Sequence, residues 1–231
     1  SPSNPMFMPL GARRPRPITV SSPVFGSAFH AEPGPSGTAK ADEVGSSGAD
    51  GVPPEAWGWL PLLTGVALVD AVRATTGIEA GVKWPNDILV GTGKLAGILA
   101  EVAAPDPVIV VGLGLNVTLT AAEAPDPRAT SLQMLGAEAL DRDALAIAIL
   151  DRLSARIERW QRTPGPDPTL VADYHTHSLT VGSRVRAVLP GNREIIGTAT
   201  EVDESGRLLI DTDTDVVTVS AGDITHLRPA N

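Results

Sequence analysis

The chain contains no cysteine. That excludes disulfides, cysteine-ligated zinc, iron–sulfur clusters and thiol catalysis. Histidine is scarce as well, limited to His30, His175, His177 and His226. His175-Thr176-His177 lies in a polar segment after a helical run. No acidic or histidine cluster at ligand spacing surrounds it, so a surface pair is expected rather than a metal site. No apolar run reaches the roughly 18 residues of a membrane span. The N-terminus lacks the basic and apolar regions of a signal peptide, so a cytoplasmic protein without membrane contact is expected. Positive charge is in deficit, with 18 Lys and Arg against 27 Asp and Glu, a net charge of −9. General nucleic-acid binding needs a basic surface, so no nucleic-acid partner is expected. No Ser-His-Asp or Cys-His arrangement has a recognisable local context. Asp211, Asp213 and Asp215 alternate, but the glycine and terminal glutamate of a calcium loop are absent, and a solvated hairpin is expected.

What is present is enough for a core: 42% of 231 residues are apolar. Residues 1–52 are dense in Pro, Gly, Ser and Ala, without a sustained period of 3.6 or 2. Such a stretch buries little to offset chain entropy, so mostly disorder is expected, with a strand at Ile18–Ser21. From Pro53-Pro54-Glu55 the pattern turns helical: Trp57, Leu60, Leu63, Thr64, Ala67, Leu68 and Ala71 recur at helical spacing, with Gly77 as the stop. That helix is apolar nearly all round and should be buried. Strands are expected at Val82–Trp84, Ile88–Val90 and Lys94–Val102, the last two joined by a hairpin turn at Gly91-Thr92-Gly93. Val108–Leu113 is a continuous apolar run, expected as a central strand covered on both faces. After a loop over 118–130, an amphipathic helix is expected from Arg142 to Arg162, N-capped by Asp141. A short helix at Pro168–His175 follows. Brief strands at Arg184–Leu189, Ile195–Val202, Leu208–Asp211, Val216–Ser220 and Ile224–Leu227 then predict a small closed barrel of SH3-like type.

Three places could carry chemistry. In Lys83-Trp84-Pro85-Asn86-Asp87 the proline forces an extended residue before it and a sharp turn after it. An amide and a carboxylate then sit at a strand end, where sheet proteins place ligands. An ordinary Asx turn beside a surface lysine would look the same. Lys94 opens an almost wholly apolar strand, where its charge would act strongly on an anion; an edge lysine that discourages aggregation is the other reading. Gly97 allows close backbone approach in that strand. Gly112-Leu113-Gly114-Leu115-Asn116 is not a phosphate loop, because no helix-opening GxGxxG or GKS/GKT pattern is there. Its glycines would let a ligand lie against the strand, with Asn116 positioned for a base edge or ribose. Strand irregularity without function remains open.

Taken together, KWPND (83–87), GKLAGILAE (93–101), GLGLN (112–116), ATSL (129–132) and the segment ending in AGDITHLR (221–228) resemble the biotin protein ligase family. Order and spacing agree from about Trp57 to Arg228. The resemblance implies an α+β fold: a mixed sheet with helices, of the class II synthetase-like biotin–lipoate ligase type, plus a C-terminal SH3-like β-barrel. It divides the chain into a non-homologous segment 1–52, a partial catalytic domain 53–178 and a barrel 181–231. It implies activation of biotin by MgATP to biotinyl-5′-AMP, then transfer to a lysine of a biotin carboxyl carrier domain, and it leaves a homodimer open. Lys94 matches the family's essential lysine at the biotin carboxylate and acyl-phosphate. Asn86 and Asp87 match the turn that places nucleotide phosphate and Mg²⁺, with Asp87 toward the metal. Lys83 matches a lysine near the same phosphates, and Asn116 a residue of the adenosine pocket. Gly97 belongs to the same ligand-facing strand. No counterpart of the family's Ser-Thr-Asn segment, Gly-Arg-Gly-Arg loop or N-terminal helix-turn-helix is found. The nearest runs, Gly11-Ala12-Arg13-Arg14-Pro15-Arg16 and Ser36-Gly37-Thr38-Ala39, lack its context or its arginines. Impaired catalysis is therefore expected. A lipoate or octanoyl-transfer enzyme of the same fold and a non-catalytic binding remnant are the alternatives.

Overall fold

The structure, a computed structural model, describes residues 19–20, 52–103, 108–138, 140–163, 165–189 and 191–226. The expectation of disorder over most of 1–52 lies outside them. The strand expected at Ile18–Ser21 is present as β1, Thr19–Val20.

A 3-10 turn at Pro54–Gly58 leads into α1, Trp59–Thr76. Gly77 ends it in the left-handed region at φ 73°, its N–H donating to the Arg73 carbonyl, as the stop signal predicts. Leu60, Leu63, Ala67, Leu68 and Ala71 are all fully buried. Apolar residues surround this helix because it is packed on two sides. One side meets a five-stranded sheet of β2 (Gly81–Lys83), β3 (Asp87–Val90), β4 (Gly93–Ala103) and β5 (Val108–Leu115) with β1, in the order β1-β5-β4-β3-β2. The β1–β5 pair is parallel and the others antiparallel. The other side meets α2 (Arg142–Trp160) and α3 (Pro168–His177).

Asp141 caps α2 by accepting from the Asp143 and Ala144 amides, and Leu145, Ile149, Leu153, Ile157 and Trp160 form its buried stripe. Asp167 caps α3 in the same way, since each carboxylate satisfies amides that a helix start leaves without partners. The three helices also share one polar knot. Arg156 on α2 reaches Asp70 on α1 (2.5 Å) and Asp173 on α3 (2.7 Å), and His177 Nε2 lies 3.0 Å from Asp70. His175 is exposed, as expected of a surface pair, but His177 is not. Helix α3 runs on through His177, whose side chain is only 13% exposed because it turns inward to Asp70.

β5 also differs from expectation. Ile109, Val111, Leu113 and Leu115 are buried, whereas Val110 and Gly112 are half-buried and Gly114 is exposed. The apolar run suggested cover on both faces, but helices lie on one. Glycine carries no side chain that needs cover, so the run hides an alternation.

The second sheet is antiparallel: β6 (Arg184–Leu189), β7 (Arg193–Val202), β8 (Leu208–Asp211), β9 (Val216–Val219) and β10 (Asp223–His226), in the order β10-β6-β7-β8-β9. The strands are those expected, and the fold is the α+β type with a C-terminal SH3-like sheet. Hydrogen-bonded closure is not seen among the described residues, because β9 and β10 pair at opposite edges of the sheet. Strand spacing reports how many strands there are but not which edges meet.

The two sheets are joined at the β7–β8 turn. Trp59 Nε1 donates to the Asp203 carbonyl (2.8 Å), and Trp84 Nε1 to the Gly206 carbonyl (3.0 Å). Gly206, at φ 79°, lies so close to Gly58 that a Cβ on it would fall 2.4 Å from the Gly58 carbonyl carbon. Both glycines are required by this backbone-to-backbone contact.

Candidate functional site

Strand register brings the predicted residues together. Lys83 is the partner of Asp87, Asp87 of Gly97, and Gly97 of Gly114. Directly opposed residues project to the same face. These four therefore form a row across β2, β3, β4 and β5 on the face away from α1, with the two glycines as a flat floor.

Lys94 joins this row through a bulge. Ile88 pairs with Ala96, but Leu89 pairs with Lys94, so β4 carries one extra residue, Leu95, at that point. Leu95 and Ala96 are consecutive and both buried. Residues at spacing three in a regular strand face opposite ways. The bulge restores Lys94 and Gly97 to one face, a known use of bulges in re-aiming side chains. Lys94 Nζ then reaches Asp87 Oδ1 at 2.6 Å. A Cβ on Gly97 would lie 3.5 Å from Lys94 Cε and 3.6 Å from Nζ, so the lysine stem passes directly over the glycine. The sequence suggested a lysine held in apolar surroundings. Instead its side chain is 49% exposed, because the bulge turns it away from the core.

The turn after Lys83 is pinned at both ends. The Trp84–Pro85 peptide is cis. Asn86 Nδ2 donates to the Ile98 carbonyl (2.8 Å), and the Ile98 amide donates back to the Asn86 carbonyl (2.9 Å). The Asn86 side chain thus fixes the turn to β4 through Nδ2, which sets where Asp87 enters β3. Asn116 does similar work at the other end. Its Nδ2 donates to the Lys94 carbonyl (3.3 Å) and its amide to that of Leu95 (2.9 Å).

Sequence reasoning missed the segment that flanks Lys94. The Lys94 amide donates to the Arg128 carbonyl (2.6 Å), and the Thr130 amide to the Lys94 carbonyl (2.9 Å). Ser131, buried, donates to the Leu119 carbonyl (2.7 Å) and closes the loop. Asp126 pairs with Arg128 (2.9 Å). Hydrogen bonds from Arg128 hold the Asp126 carboxyl below the usual carboxylate range, with the Lys94 charge a smaller contribution. Only resemblance points to the ATSL segment; no periodicity marks a loop that adds a single parallel bridge, Lys94 to Ala129. Thr180 and His226 were also missed. Thr180, fully buried, accepts from the Trp84 amide (3.0 Å) and lies 3.2 Å from His226 Nε2. Burial, and next the Lys83 charge, push the His226 imidazole below its ordinary value.

A glycine-floored face edged by two lysines and a carboxylate, reached from a pinned turn, suits an anionic ligand lying flat on a sheet. Its class is defined by comparison: residues 56–116 match the Biotin/lipoate A/B protein ligase family. Residues 180–227 match the Biotin protein ligase C terminal domain. The chain is 51% identical over 180 residues to the Biotin--[acetyl-CoA-carboxylase] ligase of Mycobacterium tuberculosis, covering 77% of this chain and 65% of that protein. It is 32% identical over 171 residues to the Bifunctional ligase/repressor BirA of Bacillus spizizenii, covering 71% and 52%. Among solved structures it resembles the Aquifex aeolicus biotin protein ligase in complex with biotin and ATP. That likeness has a TM-score of 0.64 and 26% identity, over 74% of this chain and 72% of that one. From residue 56 to residue 227 the chain belongs to the biotin protein ligase family. It spans about two thirds of the length of one of these curated relatives and half of the other.

Proposed function

We propose that the protein activates biotin with MgATP to biotinyl-5′-AMP, releasing pyrophosphate, and passes the acyl group to a lysine of a biotin carboxyl carrier domain. One observation carries this reading: Lys83, Asp87 and Lys94 gather over the Gly97–Gly114 floor on the open face of the sheet. The names of the relatives support the choice of biotin and ATP. On this reading residues 53–178 do the chemistry and 181–231 brace it.

Lys94 has the central role. As the biotin carboxylate attacks the α-phosphorus, negative charge builds on the phosphate oxygens, and a preplaced ammonium stabilises it without reorganisation. The same ammonium then steadies AMP as leaving group when the carrier lysine attacks the acyl carbon. Asp87 holds Lys94 in place until ligand arrives. Lys83, opposite Asp87, faces the pyrophosphate side. Asn86 and Asn116 keep the two ends of the site in register, and Asn116 borders the adenosine. Magnesium fits a single carboxylate here, because it keeps several waters and binds through substrate phosphates. Asp87, the carboxylate of the row beside Lys83 and Lys94, would be the residue to hold it. The acidic net charge of −9 fits a cytoplasmic enzyme whose macromolecular partner is a protein and not a nucleic acid.

The 231 residues contain no Gly-Arg-Gly-Arg run. A loop over the adenylate excludes water. A chain of these residues alone therefore forms the adenylate slowly and loses it to hydrolysis. Biotin-dependent exchange of pyrophosphate into ATP tests both statements. Weak exchange with submillimolar biotin binding is expected. Fast exchange with a stably bound adenylate refutes the impairment. Binding of lipoate in preference to biotin, or of neither biotin nor ATP, refutes the ligase reading.

A further inference from the structure

We propose that His226, on the last strand of the C-terminal sheet, is a positioning residue for the Lys83–Asp87 turn. It acts as a neutral hydrogen-bond acceptor through Thr180. This deepens the ligase reading and rests on it for the identity of the ligand.

The argument is one of hydrogen-bond accounting. Thr180 is fully buried, and its hydroxyl oxygen already accepts from the Trp84 amide at 3.0 Å. Its hydroxyl proton needs an acceptor, and His226 Nε2 stands 3.2 Å away. A hydroxyl has one proton to give, and a neutral imidazole accepts through one nitrogen. All three groups are satisfied only when Nε2 is bare and Nδ1 carries the proton. The opposite tautomer, or the charged ring, would point an N–H at Thr180 and leave its buried hydroxyl proton without a partner. The surroundings act in the same direction. Lys83 on β2 contributes a positive charge, and β6 presents Val185 as the register partner of His226. The charged residues beside Val185 on β6 are Arg184 and Arg186, the latter paired with Glu194 at 3.5 Å. Burial and the lysine both disfavour imidazolium, consistent with its lowered pKa.

The consequence reaches the site because Trp84 is the residue that begins the turn. Its amide is held by Thr180, its indole by the Gly206 carbonyl, and the neighbouring Val82 carbonyl by the Leu179 amide (2.9 Å). Two of these three ties run to the short link between α3 and β6, and one to the β7–β8 turn. The C-terminal sheet thus sets the place of Lys83 and Asp87 without touching ligand. Acidification removes the hydrogen bond from Thr180 to His226, because protonated His226 can no longer accept, and so loosens the hold of Thr180 on the turn.

The test uses the full 231-residue chain, labelled with ¹⁵N-histidine. His226 is expected in the Nδ1–H tautomer, titrating below the ordinary imidazole value. Thr180→Val removes the donor to the neutral ring, and the His226 midpoint should rise. In His226→Phe, hydrogen exchange at the Trp84 amide should quicken about tenfold, and the chain should bind MgATP about tenfold more weakly. Biotin binding should change less than about threefold. His226→Gln, whose amide oxygen can take the place of Nε2 and accept from Thr180, should recover most of the loss. An Nε2–H tautomer, a midpoint that does not move in Thr180→Val, or unchanged Trp84 exchange in His226→Phe overturns the proposal. If the parent chain binds neither biotin nor MgATP, the ligase reading fails, while the tautomer, the titration and the exchange still decide the role of His226.

Discussion

Lys94→Met separates a ligand-handling lysine from a structural one, because the two roles predict opposite outcomes. The substitution keeps most of the stem that lies over Gly97 and removes only the ammonium. Its cost to folding follows from the Lys94–Asp87 contact of 2.6 Å, in which the side chains are 49% and 21% exposed. Pairs this open are screened by water and contribute about 0.2–1 kcal/mol. At a urea dependence of about 1–3 kcal/mol per molar, the unfolding midpoint should fall by less than about 1 M. The cost to catalysis is set differently. Removing one preplaced group that stabilises developing charge typically costs about 10²–10³ in rate, or about 2.7–4 kcal/mol. Urea unfolding followed by tryptophan fluorescence, together with biotin-dependent pyrophosphate exchange, measures both. The expected result is a nearly unchanged midpoint with exchange lowered at least a hundredfold. A midpoint drop of several molar with exchange lowered only in proportion to the folded fraction would make Lys94 structural and refute the reasoning.

Trp84 should behave in the reverse way. It is 1% exposed and holds the Gly206 carbonyl, so Trp84→Ala should cost about 3–5 kcal/mol of stability; unchanged thermal unfolding would refute its packing role. Arg156→Ala removes the guanidinium that Asp70 and Asp173 share, leaving Asp70 its contact with His177. Breaking a fully buried pair costs about 3–5 kcal/mol, and the partial exposure of these carboxylates reduces the expected loss to about 1–3 kcal/mol, measurable by urea unfolding and contradicted by a loss below about 0.5 kcal/mol. Asp203 predicts a pH signature. Burial works to raise its pKa, but hydrogen bonds from Arg207 and Ser205 outweigh it and lower the carboxyl below its ordinary value. A depressed folded-state pKa contributes stability above the unfolded value near 3.9 that is lost as pH falls through the folded one. The stability gap between the parent and Asp203→Asn should therefore shrink below about pH 4. A gap constant from pH 3 to pH 6, by urea unfolding, would show that the carboxylate contributes nothing.

How much of this was legible beforehand follows from the range of each interaction. Helix α1 was legible because Gly77 and the apolar spacing are local signals. The cap of α2 at Asp141 was legible for the same reason. His177 was misread because its partner Asp70 lies on another helix, and the polar segment around it looks like surface. β5 was misread because its glycines leave the open face without a polar residue to mark it. Barrel closure was not legible, because strand count carries no information about which edges pair.

For the candidate site the division is similar. The sequence by itself determined which residues are available: the Lys83–Asp87 turn, Lys94, the glycines of β4 and β5, and the resemblance of their order to one family. These depend on neighbours within a few positions, where proline, glycine and residue type constrain the backbone directly. Only the tertiary structure decided that they meet. The Leu95 bulge, which turns Lys94 toward Asp87 and Gly97, exists only in the pairing of β3 with β4. The tie from Thr180 to the Trp84 amide joins residues 96 positions apart. Neither leaves a mark on local sequence, because a register and a long-range hydrogen bond are properties of two segments at once.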